Sequence, residues 1–484
     1  VGRPVRFGRR FGRRLGLRLG LPGLLFAAGC ASTQPWQPPS TLDSHDVPEE
    51  LRPGYGNAEL HTWWPLTPAE VVALRGVERA RRGDASALLA LAILASGDRR
   101  DPASYTGYQQ RVDRFLSGVR PVVAAAPDPW HRGYELHRAM HRAFFGGERS
   151  ELGSYELEQA RVTGIFDRGR YNCLSSAMLF AVLARGLELP VRAAILPTHV
   201  FVEMGEPGGK VIEVETTSAT GFDWVHDARF YVEEASGWSG RRGLRPATIE
   251  EYRQREIVEP YRLMATAMRG WHADESEADR YRRYELAALI DPDDAEAQRL
   301  RVQTYANEAH DLYDARAWRT TVKLFETVRP ALLEIRGRSR DPKTTELVSW
   351  SGWYHAKALM VVGRSDEAVA LAAESLTVLD AAWPDAGKLK HNYTGVLSDR
   401  LGELMLKKDY GTAVKVFSAH RDACRSSETC AGNAGVVYGN WSIEHQNAGD
   451  WQSARQVLRE CVTELPNDSR CRDALTDLES RHRF

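Results

Sequence analysis

The chain has 484 residues, 43% of them apolar and 27% charged, which is enough for a sizeable buried core and for two or three folded domains. Its formal net charge is −1, but residues 1–29 carry seven arginines and no acidic residue, leaving 57 basic against 65 acidic side chains in the remainder. That acidic balance speaks against a nucleic-acid partner, which would need a basic face.

Residues 1–30 read as a targeting segment. Arg3, Arg6, Arg9, Arg10, Arg13, Arg14 and Arg18 form a positive n-region, and Leu19–Ala28 is an apolar stretch too short to span a bilayer. It ends in Ala27-Ala28-Gly29-Cys30, which resembles a bacterial lipobox; the resemblance implies that Cys30 is lipidated and becomes the N-terminus after cleavage. Ala31 resembles the residue that follows the lipidated Cys in outer-membrane lipoproteins. The expectation is therefore a protein of the bacterial cell envelope, held at the outer membrane by a lipid anchor and facing the periplasm. The other reading is an ordinary cleaved signal with a Cys next to it by chance. Residues 31–60, rich in Ser, Pro, Gln and Thr without periodicity, read as a flexible linker.

Residues 61–150 read as a helical region, with apolar residues at helical spacing over Pro68–Arg82, Ala85–Ser96, Tyr105–Ala126 and Trp130–Phe145. His137 and His141 stand four apart, as a metal pair would, but Arg138 occupies the position where a metallopeptidase motif needs Glu. No third ligand follows nearby, so the pair reads as helix surface or core edge and no metal is expected.

Residues 151–272 read as an α+β domain built around one segment, Tyr171 to Phe222. Asn172 is a favourable cap for a helix over Leu174–Leu187, which places Cys173 at the positive end of the helix dipole, where thiolate is favoured. Val191–Leu196, His199–Met204 and Lys210–Thr216 read as strands, the last two joined by the turn residues Glu206-Pro207-Gly208-Gly209. Pairing Gly205 with Gly209 sets His199 opposite Glu215, about 5 Å apart at Cβ. A helix N-terminus across that hairpin would then supply a nucleophile, a base and an orienting acid: Cys173, His199 and Glu215. His226-Asp227 is a rival base–acid pair, but neighbours on a strand face opposite ways.

These residues resemble the transglutaminase-like members of the papain-like cysteine peptidase superfamily. The matching features are Cys173 at a helix start, LARGLELPVRA from Leu183 to Ala193, HVFVEM from His199, and Glu215-Thr216-Thr217. The resemblance implies Cys173 as nucleophile, His199 as base, Glu215 as orienting acid and no cofactor. Here Glu215 replaces the family's Asp, Phe201 stands where Trp is common after the His, and Asn172 replaces the usual Gly or Glu. Papain-like enzymes also take one oxyanion donor from a polar residue upstream of the Cys and another from the Cys backbone N–H. Gln159 is the candidate for the first role; its other reading is an ordinary surface Gln.

Residues 273–484 read as a helical repeat array. Turns before Thr321, Ala368, Ala413 and Ala454 open the second helix of four hairpins, at spacings of 47, 45 and 41 residues. The last unit, with Gly449, Trp451, Ala454, Leu458, Cys461 and Pro466, resembles the tetratricopeptide pattern, whose regular period is about 34. Such an array has a concave face that either binds a protein partner or serves only for packing. Cys424, Cys430, Cys461 and Cys471 all lie in it and allow three disulfide pairings, of which Cys424–Cys430 with Cys461–Cys471 is the simplest. Cys173 is left unpaired. The expected function is thiol-dependent acyl transfer or hydrolysis on a peptide or protein; the alternative is a non-catalytic envelope scaffold that works through its repeats.

Overall fold

The computed structural model describes residues 67–97, 102–146, 155–205, 210–223, 228–233, 245–270, 275–339, 341–378 and 386–482. Cys30 and its lipobox, the linker, the 206–209 turn and the His226-Asp227 pair lie outside those residues. The chain divides into two compact units, one ending at Arg301 and the other beginning at Val302. A break near residue 272 is the sequence expectation. Instead, the helix Glu277–Ile290 and the start of Ala295–Asp314 belong to the first unit, because Leu286 to Ile290 and Ala297 enter its core.

The first unit is mostly helical with one small antiparallel sheet. Its helices are α1 (Pro68–Arg75), α2 (Val77–Arg81), α3 (Ala85–Ala95), α4 (Pro102–Ala125), α5 (Pro129–Phe144), α6 (Val162–Arg168) and α7 (Cys173–Gly186). The first two are expected as a single helix; Gly76 divides them. Apolar residues surround α7 on every side, and Ser175 through Ala184 are all buried, as a helix hydrophobic all round must be. It packs on α3, α5, α6 and the sheet, and so forms the centre of the unit.

Strands β1 (Val191–Leu196), β2 (His199–Met204), β3 (Ile212–Val214) and β4 (Glu256–Val258) lie in the order β3-β2-β1-β4, each antiparallel to its neighbour. Residues alternate between faces along a strand, and both faces of β2 are covered. Val200, Val202 and Met204 enter the main core with α7, while Phe201 joins Ala194, Leu196, Tyr231 and Tyr252 in a smaller cluster. That is why all six residues of β2 are buried.

The second unit is an array of helices from Trp318–Arg338 to Ser469–Arg481. Thr321, Ala368, Ala413 and Ala454 each have 0% exposure, so the small anchor positions are points of close helix approach. Five residues before each stands a left-handed residue that reverses the chain: Arg316, Gly363, Lys408 and Gly449, with φ of 60°, 84°, 56° and 77°. Disulfides join Cys424 to Cys430 and Cys461 to Cys471. Among the described residues no helix is long and apolar enough to cross a membrane.

Candidate active site

The nucleophile's position is set by a capping box. The Asn172 side-chain oxygen accepts from the N–H groups of Leu174 and Ser175, both at 3.0 Å, and Ser175 Oγ accepts from Asn172 N–H at 2.9 Å. The Asn172 amide donates to Leu157 O at 2.9 Å, which ties the preceding loop to the helix start. The cap takes the N–H groups of the second and third helical residues and not that of Cys173. Cys173 therefore has both its thiol and its backbone N–H at the positive end of α7.

His199 opens β2, and its Nε2 lies 2.5 Å from Glu215 Oε2. The register that brings them together differs from the expected one. Val202 pairs with Val214, Glu203 with Glu213 and Met204 with Ile212, so Met204 faces a residue two places beyond the expected Lys210. Continuing that ladder sets Phe201, not His199, opposite Glu215. The slip is by an even number of residues, so Glu215 stays on the face of His199 and reaches it diagonally. Its other oxygen, Oε1, accepts from Thr217 N–H at 3.0 Å and Thr217 Oγ1 at 2.6 Å. The turn closes through Glu215 N–H to Gly221 O at 2.9 Å. Only glycine fits at 221, since a Cβ there would meet Glu215 O at 2.4 Å. With Nε2 taken by Glu215, Nδ1 is the nitrogen left for the Cys173 thiol, and the thiol and imidazole are hydrogen-bonded.

All three groups are buried, at 4%, 7% and 7% exposure for Cys173, His199 and Glu215. Burial pushes the thiol up, but the hydrogen bond and charge of His199 outweigh it and hold the thiol below its ordinary value. For His199 burial acts downward; the Glu215 carboxylate, with smaller contributions from Tyr231 and Cys173, raises the imidazole well above its usual range. Burial likewise works against the Glu215 carboxylate, and His199 and Thr217 together keep it below the ordinary carboxylate value. The three directions agree on one charge state: thiolate, imidazolium and carboxylate.

Two residues flanking the nucleophile grip the acid's turn. Ser176 Oγ and Thr216 Oγ1 are 2.8 Å apart, and Tyr171 OH donates to Thr217 O at 3.2 Å. Neither role was visible in the sequence, although Ser176 lies three residues past Cys173 and so on the same helix face. Over the other side of His199 stands an aromatic wall. Tyr231 lies 6.4 Å from the imidazole between ring centroids, 5.7 Å from Phe201 and 4.7 Å from Tyr252. Burial pushes the Tyr231 phenol up to about 12, so it stays a neutral donor. Behind the wall, Glu203 and Glu213 face each other directly. Arg255 bridges them at 2.8 and 3.0 Å, and Tyr252 OH donates to Glu213 at 2.5 Å.

Gln159 is placed differently from its expected oxyanion role. Its amide donates to Arg161 O at 3.1 Å and its side-chain oxygen accepts from Arg168 at 3.2 Å, while its backbone carbonyl accepts from Ser175 Oγ at 2.9 Å. Both polar ends are engaged in the loop ahead of Cys173, and the residue is a structural tie at 7% exposure, not a surface Gln. The remaining candidate oxyanion donor on this helix is the Cys173 N–H. His137 and His141, expected on a helix surface or core edge, are buried at 0% and 2% exposure. Among the described residues no group of three or more potential ligands surrounds them.

No protein-family model matches the chain, and no curated protein matches it. Among solved structures, the chain is similar to a crystal structure of menin that describes its binding site for the Mixed Lineage Leukemia (MLL) protein. The identity is 14% over 85% of this chain and 99% of that one, with a TM-score of 0.32. A likeness that slight carries no argument about fold or function.

Proposed function

We propose that this protein is an envelope lipoprotein whose first unit carries a transglutaminase-like cysteine site acting on a peptide or protein amide. The observation that carries the reading is the buried Cys173–His199–Glu215 set, with the thiol held low and the imidazole held high. The Cys173 thiolate attacks the amide carbonyl, and the Cys173 N–H takes the developing oxyanion charge. His199 holds the thiol proton and gives it to the departing amine, leaving a thioester on Cys173. Water or a second amine, deprotonated by His199, then releases the acyl group and restores the thiol. Glu215 holds the imidazole by Nε2 so that Nδ1 serves the thiol throughout. The anchor is proposed at Cys30; incorporation of a radiolabelled fatty acid in a bacterial host, lost in Cys30→Ala, is the expected result, and undiminished incorporation in the variant refutes it.

One observation favours the rival reading, a non-catalytic scaffold working through its helical repeats: the thiol is only 4% exposed. The pH dependence of iodoacetamide labelling at Cys173 separates the two. A free thiol labels with an apparent pKa of about 8.5. Because the shift is downward, labelling is expected to persist at lower pH, and His199→Ala is expected to return the profile towards the free value. An ordinary profile that ignores His199→Ala refutes the enzyme reading.

A further inference from the structure

Two buried imidazoles stand outside the site and are unused by the chemistry above. His137 and His141 lie one turn apart on α5, with ring centroids 4.5 Å from each other. Aromatic rings enclose them: Phe222 at 5.8 Å from His137 and Phe145 at 5.0 Å from His141. Their polar surroundings are the backbone of one turn, that of the acid. His137 is directed at the backbone of Glu215 and Ser218, and His141 at that of Thr216. The geometry falls short of a full hydrogen bond at each ring nitrogen, so these are close polar contacts that a small movement would complete.

The approach of α5 is itself enforced. Gly133, one turn before His137 on the same face, would meet Met204 at 2.7 Å and Phe222 at 2.8 Å if it carried a Cβ. Both imidazoles are also neutral over the ordinary pH range, since burial pulls His137 down to about 4 and His141 to about 3. Two polar side chains are thus kept in a core position where apolar residues would pack without desolvation cost. A polar group in such a place needs a reason, and the carbonyls of residues 215, 216 and 218 supply it.

We propose that His137 and His141 are positioning residues for Glu215: α5 clamps the 215–218 turn, together with Tyr171 and Ser176 from the nucleophile's segment, and this fixes the carboxylate on His199 Nε2. The inference rests on the catalytic reading of Cys173, His199 and Glu215. Without the clamp the turn keeps its own Thr217 contacts but is free to shift against β2, and Glu215 reaches His199 only diagonally. A shift of well under 1 Å weakens such a charge-assisted hydrogen bond. The imidazolium then loses its counter-charge, and the thiolate loses the imidazolium.

The test uses the full-length protein and the iodoacetamide labelling profile of the Cys173 peptide, read by mass spectrometry in wild type, His199→Ala, Glu215→Gln, His137→Phe and His141→Phe. Phe keeps the ring volume and removes the nitrogens. Each Phe variant is expected to lower the labelling rate at pH 6 at least fivefold, moving the profile towards that of Glu215→Gln. His137→Gln, which keeps a donor, is expected to recover most of the wild-type profile. Should a Phe variant not fold, Met at the same position takes its place, an adaptable side chain with no donor. If Glu215→Gln and His199→Ala shift the profile while the folded Phe or Met variants coincide with wild type, the positioning role is overturned. A pair that tolerates neither Phe nor Met is a folding requirement, which overturns it as well. If His199→Ala itself changes nothing, the catalytic reading fails and takes this inference with it.

Discussion

Glu215 bridges to His199 from a position one pair away along the ladder, and this explains the length of its side chain. Residues directly opposite in an antiparallel pair stand about 5 Å apart at Cβ, whereas diagonal neighbours are separated by about 7–8 Å between Cα atoms. The extra methylene of Glu over Asp covers most of that difference. Glu215→Asp is therefore expected to behave like Glu215→Gln in Cys173 labelling, despite keeping its charge; a wild-type profile in Glu215→Asp would mean that the turn adapts and that the diagonal is not the constraint. The three chemical groups were legible in the sequence because each sits at a local landmark: a helix start, a strand start and a strand end. The face they share was legible too, since a slip of two residues preserves alternation. What the sequence hid were the contacts that fix the turn. Ser176, Tyr171, His137 and His141 meet residues 215–218 only after α5, α7 and the sheet have packed, and no local pattern encodes such meetings. Gln159 shows the converse, a residue whose type suggested chemistry and whose contacts are structural.

At the level of elements, β1 and β2 run from Val191 to Leu196 and from His199 to Met204, the spans read from the sequence. Alternating apolar runs and a tight turn suffice to define them. By contrast β3 is shorter than expected, because its chain leaves the sheet after Val214 to form the turn that holds Glu215. The four hairpins of the second unit were legible from their small anchors, and the left-handed residue before each completes the reason. A left-handed conformation is nearly free for glycine and costs other residues about 1 kcal/mol. Gly363 and Gly449 meet that requirement, while Arg316 and Lys408 bear it as strain, at φ of 60° and 56°. Lys408→Gly and Arg316→Gly are expected to raise the stability of the second unit by roughly 0.5–1 kcal/mol each in urea unfolding, once glycine's greater unfolded-state entropy is set against the relief of strain. A loss of stability in either variant would show that side-chain contacts at the turn outweigh the backbone cost. Gly363→Ala, which introduces the same strain, should move stability the opposite way.

Over the whole molecule, the chemistry and the disulfides belong to different units. Cys173, His199 and Glu215 lie before Arg301, in the unit whose core is built on α7 and the sheet; both disulfides lie after Val302, in a core that runs through the second unit's helices. The two bridges close short loops, with sequence separations of 6 and 10 residues. By chain entropy each such loop is worth about 2–3 kcal/mol, through the unfolded state. Replacing one bridge by Cys461→Ala with Cys471→Ala, at positions that are 0% and 1% exposed, also removes packed sulfur. The double variant is therefore expected to destabilise the second unit by at least the entropic amount and to lower one calorimetric transition. The labelling profile of Cys173 should meanwhile stay that of wild type, because none of the groups that set it lies after Val302. A Cys173 profile that moves together with the lost bridge would mean that the second unit is coupled to the site, and the repeats would then have a part in controlling the thiol.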